Sequence, residues 1–280
     1  MNANWLPQMP AIKDWLTDTS CQFSKVKIST PQLDAEIILA NVLKINRTYL
    51  HAHSDKIIEV ADLKKADKMA KMRLSRMPIA YIIGQKEFYG RDFFVDTNTL
   101  IPRPESEAII DTLKLIIKGL NQTLNLIDVG TGSGCLGITA KLEFFNLSVT
   151  LADISSDALK IATLNANKLL ADVTTLQSDL LSDYTLKPDI IIANLPYVDK
   201  TWKTSPETKY EPDLALFAEN NGKIIIEKLI SQSKNLIASG GYIIIEADPA
   251  QHKNLIKFAE NKSFELISQL DYIIAFKFQN

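Results

Sequence analysis

From residue 124 onward the chain alternates between two kinds of segment, and that alternation limits its fold more than any other feature. The runs "LNLIDV", "SVTLAD", "VTTLQ", "PDIIIAN" and "GYIIIEA" read as strands, several apolar almost without a break. Helical patterns occupy 134–144, 156–169, 222–238 and 250–261. A strand that is apolar on both faces needs cover on both, which a mainly parallel sheet flanked by helices provides. Two further strand-like runs, "FELISQ" and "YIIAFKF", follow each other without a helix, so the last strand is expected to return antiparallel.

The first part of the chain reads differently. "TPQLDAEIILANVLKI" has Thr30 as N-cap and Pro31 at the first helical position, with Leu33, Ile37, Ala40, Val42 and Leu43 expected on one apolar face. A second helix runs through "VADLKKADKMAKMRLSRM" and stops before Pro78; its Lys64, Lys68 and Lys71 share a solvated face. Phe88, Phe93 and Val95 suggest short strands around a turn at Gly90, Pro102 and Pro104 break any regular element, and a helix resumes over 105–118. Two domains are expected: a helical one over 1–84, and an α/β one over 85–280 that starts with a short β-hairpin linker.

Size and composition set few other limits. With 280 residues, 46% of them hydrophobic, a full core can form without staples. A net charge of −2 argues against nucleic acid or an anionic membrane as partner. Cys21 and Cys135 lie far apart in no metal-ligand spacing, and are expected as free buried thiols in a reducing compartment. No apolar run is long enough to span a membrane, and the N-terminus lacks the pattern of a secretory signal. A cytoplasmic protein without metal is the expectation.

In "LIDVGTGSGCLGITA", Gly130, Thr131, Gly132, Ser133 and Gly134 lie between a strand and a helix. Glycine there allows a tight turn and close approach of a ligand to the backbone, and the amides at the helix start favour an anionic group. The spacing is not that of a dinucleotide site, whose third glycine would fall at Cys135, and no lysine follows as a phosphate-binding loop requires. Asp153, ending the next strand, can accept both hydroxyl hydrogens of a ribose. Asp128 can hold loop amides or a ligand ammonium group. A ligand with a ribose and an amino-acid end but no pyrophosphate fits, which describes S-adenosylmethionine.

The tetrad Asn194, Leu195, Pro196 and Tyr197 follows the fourth strand, at the sheet end where open α/β proteins bind ligands. Methyl transfer to an amide or exocyclic amine starts from a poor nucleophile, because its lone pair is delocalised. Two acceptors must hold the two N–H hydrogens, so that the lone pair points at the methyl and the charge growing on nitrogen is stabilised. The Asn194 side-chain oxygen and the Leu195 carbonyl can be those acceptors, with Pro196 fixing the turn and Tyr197 stacking on a planar substrate group.

These residues resemble the HemK-type protein-(glutamine-N5) methyltransferases that modify peptide chain release factors. The resemblance rests on "DAEIILANVL", "MPIAYIIGQKEFYGRDFFV", "LIPRPESE", "DVGTGSG", "ADISSDALKIATLNA", "SDLL", "ANLPYV", "YEPDLALF" and "IIIEADPAQ". It implies a Rossmann-like class I S-adenosylmethionine-dependent methyltransferase sheet with a small N-terminal helical domain that helps hold a class I release factor. It also implies that Gly130–Gly134 contact the methionine part of the cofactor, Asp153 the ribose and Leu180 the adenine. Asn194, Leu195, Pro196 and Tyr197 would bind the glutamine of a Gly-Gly-Gln motif, with Asn194 also near the cofactor, and S-adenosyl-L-homocysteine would be the product. Arg103 and Glu105 fall near the pocket without an assigned role.

Three positions depart from the family. Leu195 replaces the first proline of an Asn-Pro-Pro-Tyr tetrad, which keeps the carbonyl but loosens the loop; a Leu195→Pro variant is then expected to be at least as active as the parent. "AENNG" at 218–222 replaces a glycine-aspartate-glycine segment, and Asp248 stands where a glycine is expected. The rival reading is an adenine-N6 methyltransferase acting on ribosomal RNA or DNA, since Asn-Leu-Pro-Tyr suits that class too. The slight negative charge and the helical domain coming first argue against it. A non-catalytic domain that only binds a partner is a third reading, which failure to bind S-adenosylmethionine in calorimetry would support. Every part of the site falls on one chain, so a monomer is expected.

Overall fold

The computed structural model describes residues 9–120, 122–199, 201–217 and 222–279, and the chain divides into two units, Met1–Gly84 and Gln85–Asn280. The first holds helices α1 (Ile12–Lys25), α2 (Pro31–Leu43), α3 (Arg47–Ala52), α4 (Val60–Leu74) and α5 (Ile79–Ile83). Its core gathers Ile12, Trp15, Phe23, Ile38, Leu39 and Leu50. The inward residues of α1 are Ile12, Trp15, Thr19 and Phe23, a helical repeat that leaves Cys21 exposed, not buried as expected. Lys64, Lys68 and Lys71 on α4 are exposed.

Helix α2 begins at Pro31, but the Thr30 hydroxyl does not cap it; it donates to Asp34 Oδ1 at 2.9 Å. The buried face also differs from the apolar pattern. Leu33 is 37% exposed, whereas Asp34 and Glu36 are buried beside Ala35, Ile38 and Leu39. The reason is pairing at a distance: Arg73 Nε donates to Asp34 Oδ2 at 2.6 Å, and Arg47 Nη2 to Glu36 Oε2 at 2.6 Å. A charge goes inside only when another group meets it there.

The second unit opens with a hairpin of β1 (Gln85–Phe88) and β2 (Arg91–Phe94), turned by Tyr89 and Gly90, both at positive φ. Phe88 and Phe93 meet edge to face at 6.2 Å and anchor the hairpin in the core. A 3-10 turn, Pro104–Ser106, then leads into α6 (Glu107–Ile116). The elements β3 (Leu124–Val129), α7 (Cys135–Glu143), β4 (Leu147–Asp153), α8 (Ser156–Leu169), β5 (Thr174–Gln177) and β6 (Ile190–Ala193) follow. After them come α9 (Asp213–Leu216), α10 (Ile224–Leu236), β7 (Tyr242–Glu246), α11 (Pro249–Glu260), β8 (Phe264–Leu270) and β9 (Ile273–Phe278).

Seven strands form one sheet in the order β5-β4-β3-β6-β7-β9-β8. The first five run parallel, and β9 is antiparallel to both of its neighbours, β7 and β8. All four residues of β6 are buried, because apolar layers cover the sheet on both sides. One layer includes Ile109, Leu113 and Ile138, the other Leu229, Ile230 and Leu255. The chain moves outward from β3 to β5 and then crosses to β6 on the other side of β3. That reversal is a topological switch point, where strand ends splay and leave a crevice. The register pairs Val129 with both Ala152 and Ala193, and Ala193 with Ile245, so Gly130, Asp153, Asn194 and Glu246 come to the same end of the sheet.

Candidate active site

At that end a cavity of about 230 Å³ is lined by Gly130, Thr131, Gly132, Ser133, Asp153, Leu180, Asn194, Leu195 and Pro196, among others. A second cavity, about 250 Å³, shares Leu100, Arg103, Asn194, Leu195, Pro196 and Ala215 with the first and adds Tyr197 and Glu246. Of the site residues singled out in the sequence, Glu105, Asp128, Gly134 and Tyr197 do not line the first cavity. Gly134 precedes α7 as its N-cap, and Tyr197 belongs to the second cavity.

Carboxylates hold the glycine loop from below. Asp128 Oδ2 accepts from Thr131 Oγ1 at 2.6 Å and from the Gly137 amide at 2.9 Å, while Asp153 Oδ2 accepts from the Gly132 amide at 2.9 Å. Asp153 Oδ1 accepts from the Ser155 amide, leaving each oxygen further lone-pair capacity toward the cavity. Burial raises the pKa of both acids. On the far side, buried Asn165 donates to the Ser133 carbonyl and bonds Phe94 through both its N–H and C=O, tying the hairpin to the loop.

For Asp128, burial pushes the pKa up to about 6 from 3.8, and its Oδ1 has no partner. The unfolded chain therefore releases this proton at lower pH than the folded protein, so stability from this group falls as pH rises from about 4 to about 6. Above that window the buried carboxylate costs roughly 3 kcal/mol at about 1.4 kcal/mol per pKa unit. Asp128→Asn should gain stability relative to the parent by up to that amount between pH 4 and pH 7, read by urea unfolding. A difference that does not change with pH would contradict this.

The tetrad is held from several directions. Asn194 Nδ2 donates to Ser106 Oγ at 2.9 Å, and the Tyr197 hydroxyl donates to Glu246 Oε1 at 2.9 Å. Gln251 Nε2 donates to the Tyr197 carbonyl at 2.9 Å, and the Val198 amide to the Leu216 carbonyl at 3.1 Å. Asp248, one of the departures from the family, caps α11: its Oδ1 accepts from the Ala250 amide, and its own amide donates to Gln251 Oε1. The cap thus steadies the glutamine that grips the tetrad. The departure over 218–221 lies outside the described residues.

Leu195 is buried, and a Cβ built on Gly130 would stand 2.7 Å from its Cδ2. The leucine side chain therefore fills the space beside Gly130 and packs the tetrad against the glycine loop. Leu195→Pro is now expected to lose about 1–3 kcal/mol of stability through the gap left behind, with turnover no higher than the parent's. Calorimetric unfolding and steady-state rates check this; a variant as stable as the parent and faster would refute it.

Arg103 lines both cavities and pairs with the buried Glu211 at 2.7 Å. Ser106, Glu211, Glu246 and Gln251 were not singled out from the sequence. Ser106 and Glu246 lie within the quoted "LIPRPESE" and "IIIEADPAQ", and a lone acid ending an otherwise apolar strand was the available signal.

A mostly parallel seven-stranded sheet with one antiparallel strand, glycine loop and tetrad at its switch point, is the class I methyltransferase fold. The T. thermophilus 16S rRNA N2 G1207 methyltransferase, solved with AdoMet and guanosine, shares the fold at a TM-score of 0.52 and 14% identity, covering 70% of this chain and 50% of that one. Residues 14–84 match the PrmC N-terminal domain and 106–209 the methyltransferase small domain. A release factor glutamine methyltransferase of Leptospira interrogans is 35% identical, with 86% of this chain and 87% of that protein aligned. The chain belongs to the release factor glutamine methyltransferase family. It also aligns at 31% identity with a bifunctional methyltransferase of Rickettsia prowazekii, over 94% of this chain but only 54% of that longer protein.

Proposed function

We propose that this protein methylates the side-chain amide nitrogen, N5, of the glutamine in the Gly-Gly-Gln motif of class I peptide chain release factors, with S-adenosyl-L-methionine as methyl donor. The observation that carries this reading is the shared wall of the two cavities. Asn194, Leu195 and Pro196 line both, between the glycine loop with Asp153 on one side and Tyr197 on the other.

The donor supplies a methyl group on a positively charged sulfur. The first cavity suits such a ligand: the loop backbone stands open over Gly132, where a Cβ would meet nothing within 4 Å, and Asp153 offers lone pairs for ribose hydroxyls. Leu180 lines it as an apolar border for adenine. The second cavity would take the glutamine side chain. Asn194 Oδ1 and the Leu195 carbonyl would hold its two N–H hydrogens, leaving the lone pair toward the first cavity. Among the described residues no cluster of acids, histidines or cysteines could hold a metal, and this chemistry calls for none.

Residues 1–84 would help to hold the release factor, and the enzyme would act as a cytoplasmic monomer. No helix among the described residues is long and apolar enough to cross a membrane. Purified protein given labelled S-adenosyl-L-methionine, a class I release factor and ribosomal RNA should place label on the glutamine of the factor. Label on the RNA alone would favour the adenine-N6 alternative.

A further inference from the structure

We propose that Ser106 and Glu246 act as positioning residues that decide which edge of the Asn194 amide faces the substrate. The inference deepens the function given above and rests on it. Ser106 and Glu246 are 1% and 2% exposed, and they meet across 140 positions of sequence. Ser106 Oγ donates to Glu246 Oε2 at 2.5 Å, and the Tyr197 hydroxyl donates to Glu246 Oε1 at 2.9 Å.

A hydroxyl has one proton. With that proton on Glu246, Ser106 Oγ can only accept from its other neighbour, Asn194, which lies 2.9 Å away. Only the NH₂ edge of the Asn194 amide satisfies an acceptor, so Nδ2 turns to Ser106 and Oδ1 to the opposite side. That is the orientation methyl transfer to an amide needs, since an NH₂ edge facing the substrate would repel its N–H hydrogens. A hydroxyl bonded to a neutral amide in place of Glu246 could point either way, and the asparagine with it.

The cost of the arrangement supports a role beyond packing. Glu246 forms no ion pair among the described residues, although burial raises its pKa. A buried carboxylate without a cation weakens a fold, and an apolar residue at the end of β7 would be less costly there. What the carboxylate does provide is two acceptors that fix the direction of two hydroxyls, that of Ser106 at the first cavity and that of Tyr197 at the second.

The test uses the full chain with a release factor and labelled cofactor. Ser106→Ala should lower kcat about 10- to 100-fold, while KM for the release factor and Kd for the cofactor move less than about threefold. Ser106→Thr, which keeps the hydroxyl, should recover most of the loss. In ¹⁵N-asparagine-labelled protein, the Asn194 side-chain NH₂ signals, assigned against Asn194→Ala, should be protected from exchange in the parent and lose that protection in Ser106→Ala. Unchanged kcat in Ser106→Ala, no recovery in Ser106→Thr, or identical Asn194 signals in parent and Ser106→Ala would each overturn the proposal. A parent that methylates no release factor would instead overturn the function proposed above, and the NMR comparison would still decide the amide's orientation.

Discussion

Asn194→Ala should lower methyl transfer to a release factor by about 10²–10³-fold, the usual cost of removing one preorganised polar group from a reacting centre. The side chain has two edges with different duties. Its NH₂ edge is bound to Ser106, and in the proposed reaction its oxygen would be left to the substrate amide. Removing it would take away one of the two proposed acceptors for the charge that grows on nitrogen, a loss felt mainly in the transition state. Cofactor affinity should change by less than about tenfold, because the loop from Gly130 to Gly134 is held by Asp128 and Asp153 without help from Asn194. Single-turnover rates and calorimetry separate the two quantities. Turnover near the parent's would remove Asn194 from the chemistry.

Gly222→Ala should damage both stability and activity, although the glycine lines neither cavity. It sits at φ +76°, and an added Cβ would stand 1.8 Å from the Tyr197 carbonyl oxygen and 2.5 Å from Gln251 Nε2. Backbone must move to relieve such a contact, and the nearest backbone is the tetrad itself. The expected loss is about 2–4 kcal/mol of stability, above the 1–2 kcal/mol of left-handed strain alone, together with a more than tenfold fall in turnover. Gly90→Ala is the control, since that glycine has a similar φ of +74° but nothing within 4 Å. It should show the strain cost without the loss of turnover. Equal effects from both substitutions would mean that backbone strain alone is responsible.

The parts of this molecule that could be read from its sequence are those whose physics is local. Strands such as Ile190–Ala193 announce themselves because a parallel strand buried on both faces has no polar side to show. Glycines 130, 132 and 134 mark a turn for the same local reason. What could not be read depends on partners far along the chain. Asp34 and Glu36 are buried on α2 because Arg73 and Arg47, from other parts of the chain, meet them. Leu195 looked like a loosened tetrad because a missing proline is visible in sequence, whereas its contact with Gly130, 65 positions away, is not. Ser106, Glu246 and Gln251 escaped notice because each is an ordinary residue whose importance lies in one long-range hydrogen bond.

The place of β9 between β7 and β8 bears on how the protein is made. The strand that covers the flank of β7 comes only after α11 and β8 in sequence, so a nascent chain holds β7 with one row of backbone N–H and C=O groups open until β9 arrives. The run "YIIIE" is an invitation to foreign strands during that interval. In this molecule the lateral edge that needs protection longest borders Glu246, so a premature stop before residue 273 would spoil the catalytic end of the sheet and its solubility together.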